Sequence, residues 1–248
     1  VGFVEAMKLY LVEISPILRE QQKTVLSQYK PSWCCHLDDI PRGPSILIAN
    51  EFFDTLPIEQ FQKTDTGWHE RMVGLSSKKD DLFEITLSSH AVDDAFLTML
   101  PDTSENEVAE ISLASNLYLQ KILKRICSSL GAVLIIDYGY CDNVASDTLQ
   151  AIRKHHHVPI FSAPGNIDLT AHVNFYHLLK TITDFGCFSP TLKTQREFLE
   201  KYGINQRMEK LIESSERDQV ETILAAHRRL TRIEFMGDLF KALALSYF

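Results

Sequence analysis

Short apolar runs without polar alternation recur along the chain, and each is followed by polar or turn-forming residues. They lie at residues 8–12 (KLYLV), 45–49 (SILIA) and 132–136 (AVLII). After the first run, Ser15 and Pro16 form a helix cap and a first-turn proline, which predicts a helix over residues 16–29. Unalternated strands separated by helices are typical of a parallel sheet covered on both faces. The pattern therefore predicts an α/β fold with a doubly wound, mostly parallel sheet.

A β-rich region and a helix are predicted between the second and third apolar runs. Residues 58–75 predict a hairpin, because turn formers at residues 64–67 separate two strand-like runs. The segment Phe83–Leu87 is a candidate third strand of this region. Leucines and isoleucines at helical spacing from Leu119 to Leu130 predict an amphipathic helix within residues 107–130.

The last hundred residues show a looser pattern, in which helices are expected near residues 147–155, 173–183, 194–202 and 205–230. Neither a repeat nor a low-complexity linker marks a domain boundary. We therefore expect one domain over residues 1–248, with a β-rich insertion at about 57–110 and a mostly helical insertion at about 142–230.

Composition and charge exclude several classes of protein. With 45% hydrophobic and 23% charged residues, the 248-residue chain is an ordinary globular protein rather than a disordered, collagen-like or coiled-coil one. A net charge of −8 argues against a nucleic-acid partner held by a broad basic surface. No apolar stretch is long enough to span a bilayer, and the opening residues do not resemble a signal peptide. We expect neither membrane insertion nor export.

The cysteines and the glycines indicate which sites to expect. Five cysteines without a C-x-x-C spacing suggest neither a disulfide framework nor a zinc site. We therefore expect a reducing compartment. The ten glycines include no G-x-G and no P-loop, the turns that let backbone N–H groups approach a phosphate. The chain also begins at Val1, just ahead of a predicted strand. We expect an upstream segment, carrying any glycine cradle, to be missing.

Acidic and amide residues end the three predicted strands. Glu13 follows the first, Asn50 and Glu51 the second, and Asp137 the third. In open α/β sheets, ligands bind beyond the carboxyl ends of the strands. Carboxylates accept hydrogen bonds and amides both donate and accept them, so this rim could hold ribose hydroxyls or a cationic amine. Polar residues also end strands that bind nothing, and the rim alone leaves both interpretations open.

Three other clusters are weaker candidates. Adjacent histidines at residues 155–157 diverge and fit a solvated loop better than a metal site. Asp168 and His172 lie four residues apart and would be neighbours on a helix, where the carboxylate could orient the imidazole, although Asp168 is more simply a helix cap. The paired cysteines at residues 34 and 35 are expected to be small buried side chains without catalytic function.

Seven motifs, taken together and in order, carry a resemblance to a known family. They are LVEISPILR (11–19), ANEFFDTLP (49–57), GWHER (67–71), IDYGY (136–140), TLQAIRKH (148–155), PG followed by DLTAHV (164–173), and MGDLFK (236–241). This set resembles the MidA family over the whole chain. MidA-like proteins are S-adenosylmethionine-dependent methyltransferases, and their mitochondrial members are protein arginine methyltransferases that assist the assembly of respiratory complex I.

The resemblance implies a Rossmann-like methyltransferase fold of class I and a role for each rim residue. Glu13 would accept hydrogen bonds from the ribose hydroxyls of S-adenosylmethionine, and Asn50 would contact the cofactor near the transferring methyl group. The glycine loop that family members carry upstream is absent from this chain, which is therefore identified as an N-terminally truncated member.

The same resemblance implies an acceptor site. Asn50, Glu51 and Asp54 are the candidate catalytic residues, because a carboxylate can hold an arginine guanidinium bidentately while its nitrogen is aimed at the methyl group. Catalysis would consist mostly of positioning and electrostatics. The residues expected to bind the substrate are Glu51, Asp137, Tyr138 and His172.

Two other functions are weighed against a methyltransferase. One is a catalytically inactive assembly factor that binds a respiratory-complex subunit, which a degenerate glycine loop would favour. The other is a nicotinamide-dependent oxidoreductase, since Glu13 alone would also suit the ribose in that fold. The seven motifs disfavour the second. We expect a protein substrate, a subunit of complex I, a homodimer as one oligomeric form, and a location in the bacterial cytoplasm or the mitochondrial matrix.

Overall fold

The computed structural model describes residues 2–76, 82–154 and 156–247 of the chain. Within these ranges the helices are α1 (Phe3–Ala6), α2 (Pro16–Leu26), α3 (Asp94–Leu97), α4 (Leu113–Ser129), α5 (Phe175–Phe185), α6 (Gln195–Lys201), α7 (Ile204–Glu213), α8 (Arg217–Thr231) and α9 (Met236–Leu239). The strands are β1 (Tyr10–Val12), β2 (Ser32–Cys34), β3 (Ser45–Asn50), β4 (Glu59–Thr64), β5 (Gly67–Leu75), β6 (Phe83–Leu87), β7 (Val108–Ile111), β8 (Gly131–Tyr140), β9 (Gln150–Arg153), β10 (His156–Val158), β11 (Asp168–Thr170), β12 (Val173–Asn174), β13 (Thr191–Thr194) and β14 (Phe240–Tyr247). None of the helices in these ranges has the length and hydropathy to cross a bilayer.

Strand β8 is the centre of the main sheet. It pairs in parallel with β3 and, through its last two residues, with β12, and it pairs antiparallel with β14 along most of its length. Strand β13 is antiparallel to β14 and therefore points the same way as β8. All strands of this sheet within the described residues share one direction except β14. The predicted mixed α/β fold with a mostly parallel central sheet is confirmed.

Helices α4 and α5 pack on one face of the central sheet. Their apolar sides meet alternate residues of β8, so that Val133 and Ile135 join Leu123 and Ile182 in one buried cluster. Each such buried side chain contributes roughly 1.5–3 kcal/mol to folding. The amphipathic helix expected within residues 107–130 is present, but it begins only at Leu113.

The other face of β3 is uncovered in the described residues. Leu47 and Ala49 pack into the core, whereas Ile46 and Ile48 are 65% and 68% exposed. Strands β1 and β2 form a separate parallel pair, and β1 has no other partner among the described strands. Helix α2, which connects them, buries none of its residues. The prediction of helices on both faces of the sheet therefore stays a prediction.

Strands β4 to β7 form an antiparallel sheet in the order β6-β5-β4-β7. The hairpin expected over residues 58–75 is present, and Phe83–Leu87 is its third strand. The first residues of the predicted 107–130 helix are instead strand β7, which is a correction. Ala109 pairs with Phe61 in a small second core, and the Ser112 side chain accepts a hydrogen bond from Ser115 N to start α4 afterwards.

The helix expected near residues 147–155 is wrong. Residues Gln150–Arg153 are strand β9, which pairs antiparallel with β10 on one side and β11 on the other. Sequence propensity favoured a helix, and pairing with two neighbouring strands overrides it. The single helical stretch expected at 205–230 is two helices, α7 and α8.

Candidate functional site

A strained turn follows strand β3. Glu51 has a backbone φ of 48°, a left-handed conformation that is uncommon for any residue other than glycine. Its amide donates to Ile136 O at 2.9 Å, which ties the turn to β8. Both Asn50 and Glu51 are exposed, and Asn50 Nδ2 lies 3.4 Å from Glu51 Oε1. Backbone strain of this kind persists only where the surrounding structure holds it in place, and functional sites are one such place.

The buried carboxylate of Asp137 holds this turn in place. Its Oδ2 accepts hydrogen bonds from the backbone amides of Phe52, Phe53 and Asp54 at 3.2, 3.0 and 3.3 Å. Asp137 is fully buried, at 0% exposure, and Oδ1 accepts from Tyr138 N at 3.0 Å. Burial and then the nearby Asp54 charge raise the pKa of Asp137 from 3.8 to about 7. The geometry favours support of the turn over the direct substrate contact expected of Asp137.

Asp54 lies behind the exposed pair, in a buried polar cluster. Its Oδ2 accepts from Tyr138 OH at 2.6 Å and from Thr170 Oγ1 at 2.9 Å, and the two hydroxyls also contact each other. Asp54 is 8% exposed, and its Oδ1 has no hydrogen-bond donor among the described residues. Burial and the hydrogen bond to Asp54 raise the pKa of Tyr138, so the phenol stays a donor.

His172 lies at the edge of the same cluster. Its ring meets the Tyr138 ring edge to face, with centroids 5.4 Å apart. Burial and then the charge of Lys241 lower the pKa of His172, which keeps the imidazole neutral. Asp168 does not orient it, because residues 168–170 form strand β11 instead of a helix. Both interpretations of Asp168, as the partner of His172 and as a helix cap, required a helix here and are wrong.

Glu13 lies at the end of β1, on the other sheet. Its Oε1 accepts from Ser15 N at 2.8 Å and its Oε2 from Gln22 Nε2 at 3.3 Å, so the carboxylate caps the start of α2. It is half-buried, and each oxygen has a further lone pair that can accept a hydroxyl. The contacts thus join Asp54, Tyr138 and His172 in one cluster beside the last residues of β8, with the exposed Asn50–Glu51 pair on the adjoining turn after β3 and Glu13 on a separate parallel pair.

Sequence reasoning missed some residues of this cluster. Thr170 gave no motif signal of its own, because only the pairing of β11 brings its hydroxyl to Asp54. The burial of Asp137 had a signal in the sequence, because side chains two residues apart on a strand face the same way and Asp137 follows the buried Val133 and Ile135 at that spacing. That signal is lost when the strand is ended at residue 136.

The described ranges contain no group of three or more histidines, cysteines or acids that could hold a metal ion. Of the adjacent histidines, His155 lies outside the described residues, and His156 and His157 are exposed on β10. Cys34 is partly buried and Cys35 is exposed; the Cys35 thiol accepts a hydrogen bond from Arg19 at 3.3 Å.

Comparison with known proteins shows which family this chain belongs to. A family model described as "Putative S-adenosyl-L-methionine-dependent methyltransferase" matches residues 1–191. Protein arginine methyltransferase NDUFAF7, mitochondrial, from Danio rerio is 31% identical over 257 residues, which cover 95% of this chain and 60% of the relative. The NDUFAF7 homolog of Caenorhabditis elegans is 32% identical, with 93% of this chain and 54% of the relative covered. The chain spans between 54% and 60% of the length of these curated relatives.

Two crystal structures from Burkholderia thailandensis share the fold. One contains S-adenosyl-homocysteine and superposes with a TM-score of 0.83 at 24% identity, covering 97% of this chain and 64% of the other. The second, a native structure, has the same TM-score of 0.83 at 25% identity and covers 97% and 66%. The resemblance carried by the seven motifs is confirmed, since the family model extends over most of the chain. This protein belongs to the family of S-adenosyl-L-methionine-dependent methyltransferases.

Proposed function

We propose that this chain supplies the acceptor site and the ribose-binding acid of a protein arginine methyltransferase. The curated relatives from zebrafish and mouse are named protein arginine methyltransferases, and a protein of the same fold contains S-adenosyl-homocysteine. Both observations concern relatives that are longer than this chain. What supports the proposal within the chain is the turn after β3.

The observation that carries the proposal is the exposed Asn50–Glu51 pair, in which Glu51 has a left-handed backbone and the three residues that follow it are held by the buried Asp137 carboxylate. A guanidinium presents five N–H donors in a fixed plane and stays charged at neutral pH. The Glu51 carboxylate can accept two of these donors, and the Asn50 amide oxygen can accept another. Because Asp137 fixes the turn, this recognition requires little reorganisation when the acceptor arrives.

Asp54 and Tyr138 extend the site inward. The uncompensated Oδ1 of Asp54 is an acceptor that favours a cation nearby, and Tyr138 OH keeps the other oxygen in place. An arginine nitrogen that gains a methyl group must also lose a proton. Glu51 is exposed and can pass that proton to water, whereas Asp54 is enclosed and is better suited to attracting the charge.

The residues present fit part of a cofactor site. Glu13 offers carboxylate oxygens to vicinal hydroxyls, and β1 and β3 each have one edge without a described partner. We propose that a further parallel strand, from a segment outside the described residues, lies between these edges and brings the glycine turn. When bound, S-adenosylmethionine supplies the electrophilic methyl group. The residues of this chain hold its ribose and present the acceptor.

The acceptor protein and the location rest on similarity. The curated relatives are named as mitochondrial, which favours the mitochondrial matrix for this protein. The MidA resemblance favours a subunit of respiratory complex I as the acceptor. A homodimer stays a prediction, as does the division of the chain into one domain with a β-rich and a helical insertion.

Methyl transfer is tested with the protein in its longest natural form, methyl-labelled S-adenosylmethionine and a library of arginine-containing peptides. We expect label on arginine after hydrolysis, and none with matched lysine peptides. Glu51→Gln should lower the rate about a hundredfold, because it removes the charge that orients the acceptor. Its affinity for the cofactor should stay within about threefold of the wild type.

Asp65→Asn, in the exposed turn of the β4–β5 hairpin, is the matched control and should keep the wild-type rate. Labelled lysine in place of arginine would contradict the proposed acceptor. Cofactor binding without any transfer would favour the inactive assembly factor. Equal rates for the wild type and Glu51→Gln would remove Glu51 from the site.

A further inference from the structure

A buried carboxylate lies outside the proposed site, in the four-stranded sheet. Glu110, on β7, is 5% exposed, and its Oε1 accepts from Gln60 Nε2 at 2.8 Å, from Thr148 N at 2.9 Å and from Leu149 N at 3.0 Å. Its Oε2 accepts from Thr148 Oγ1 at 2.5 Å. A buried charge is tolerated only when it is hydrogen-bonded as fully as this. Glu110 therefore fixes the segment around Thr148 to the four-stranded sheet.

The neighbouring Asp147 strengthens the same attachment. Its carboxylate accepts from Gln60 Nε2 at 2.9 Å and pairs with Arg71 Nη1 at 2.8 Å. Residues 147–149 are thus held by side chains of β4, β5 and β7, although they belong to no strand themselves. The attachment joins parts of the chain that are 38 residues apart at Glu110 and Thr148.

Thr148 connects Glu110 to the backbone of His172. Its hydroxyl donates to Glu110 and accepts from the backbone amide of His172 at 2.8 Å. The contact continues the β9–β11 register, in which Gln150 pairs with Thr170. A hydroxyl that donates to a carboxylate becomes a better acceptor, so the two hydrogen bonds reinforce each other.

These contacts lead from Glu110 to the buried polar cluster of Asp54, Tyr138 and Thr170. The ring of His172 lies against Tyr138, which donates to Asp54 at 2.6 Å. We propose that Glu110 is a positioning residue, which through Thr148 fixes the backbone of His172 and so the packing of its ring on Tyr138. Any effect of the His172 ring position on methyl transfer rests on the proposed function, but the effect of Glu110 on that ring position does not.

The test is an NMR titration of the His172 imidazole in the protein's longest natural form, with isotope-labelled histidine and the signal assigned from a His172→Asn spectrum. Burial lowers the pKa of His172 in the wild type. Thr148→Val, which removes the linking hydroxyl, should raise this pKa by about half a unit as the ring gains solvent. Thr148→Ser keeps the hydroxyl and should titrate as the wild type does. Glu110→Gln keeps an acceptor at Oε1, and it should shift the pKa in the same direction as Thr148→Val but by less.

The control is Glu59→Gln, on the strand beside β7. Glu59 Oε2 accepts from Leu113 N at 3.3 Å, so this variant loses a comparable contact at the start of α4 and should leave His172 unchanged. Should Glu110→Gln not fold, the two Thr148 variants decide alone. An unchanged His172 pKa in Thr148→Val, or an equal change in Glu59→Gln, would overturn the proposal. A shifted His172 without any methyl transfer would support the positioning and reject the proposed function.

Discussion

At the scale of single residues, Asp137 links stability to the shape of the proposed site. Three backbone amides of the turn after β3 point at one of its oxygens, and this oxygen has no access to water. The hydrogen bonds favour the charged form, whereas burial and Asp54 favour the protonated form and prevail, since the pKa rises to about 7. The residue therefore changes charge within the range in which most proteins are handled.

The pH dependence of stability tests this assignment. Between pH 4 and 7 the folded protein keeps a proton on Asp137 that the unfolded chain, with an ordinary pKa of 3.8, has released. The free energy of unfolding should therefore fall as pH rises through this interval, by about 1 kcal/mol per pH unit from this group. Asp137→Asn should lose that slope, measured by urea unfolding at several pH values.

Asp65→Asn, at an exposed turn, serves as the control and should keep the wild-type slope. If the difference in unfolding free energy between wild type and Asp137→Asn were constant with pH, or grew in favour of the wild type as pH rises, the raised pKa would be wrong.

The candidate residues were predictable from the sequence to different degrees. Glu13, Asn50 and Glu51 could be found because an apolar run marks a strand and the first polar residue marks its end. The burial of Asp137 and the partnership of Asp54 with Thr170 could not, since they depend on how far β8 continues and on where β11 pairs. Long-range pairing has no local signature in a single sequence.

At the scale of elements, the close approach of β12 to β8 determines where the His172 segment lies. A Cβ built on Gly139 would lie 1.9 Å from Val173 O, well inside contact distance and against backbone that cannot rotate away. Only glycine permits the parallel β8–β12 pair at this position. Because His172 directly precedes β12, this pair also limits where its ring can go.

Gly139→Ala should therefore break the β8–β12 pair and lower the free energy of unfolding by about 3 kcal/mol, measured in urea. Gly74→Ala is the comparison within a strand. Its Cβ would meet the side chain of Thr86, at 2.9 Å, instead of backbone, so this variant should lose less stability than Gly139→Ala does. Similar losses in the two variants would show that the close approach at Gly139 does not constrain the fold.

Elements with a strong hydrophobic periodicity or a clear turn were predicted well. Strands that form only because they pair with distant strands were not. Helix α4 was found from its buried stripe, and the β4–β5 hairpin from its turn formers. Strand β7 was absorbed into the predicted helix because it is short and directly precedes the α4 cap. Strand β9 was predicted as a helix, since its residues favour a helix locally and only β10 and β11 make it a strand.

At the scale of the whole molecule, the sequence led us to expect a missing upstream segment, and among the described strands β1 and β3 each have one edge without a partner. The parallel class followed from three unalternated strands. The separation of the β1–β2 pair from the central sheet, with Ile46 and Ile48 exposed beside it, could be seen only in three dimensions. It places Glu13 and the acceptor turn on two units that an intervening strand would join.

We propose that this chain provides both the ribose side and the acceptor side of one cofactor site. Calorimetric titration of S-adenosylmethionine into the longest natural form of the protein, and into the same form with Glu13→Ala, tests this proposal. We expect binding by the wild type and a loss of about tenfold or more in affinity for Glu13→Ala, because hydrogen bonds to a charged acceptor are removed.

Ser15→Ala is the control in the same titration. It removes the serine cap of α2, which accepts from Leu18 N at 3.4 Å, while leaving the Glu13 carboxylate, and it should bind as the wild type does. Binding by the wild type and Ser15→Ala, weakened in Glu13→Ala, is the predicted result. No binding by any form, or equal affinity with and without the Glu13 carboxylate, would show that Glu13 does not hold the cofactor's ribose.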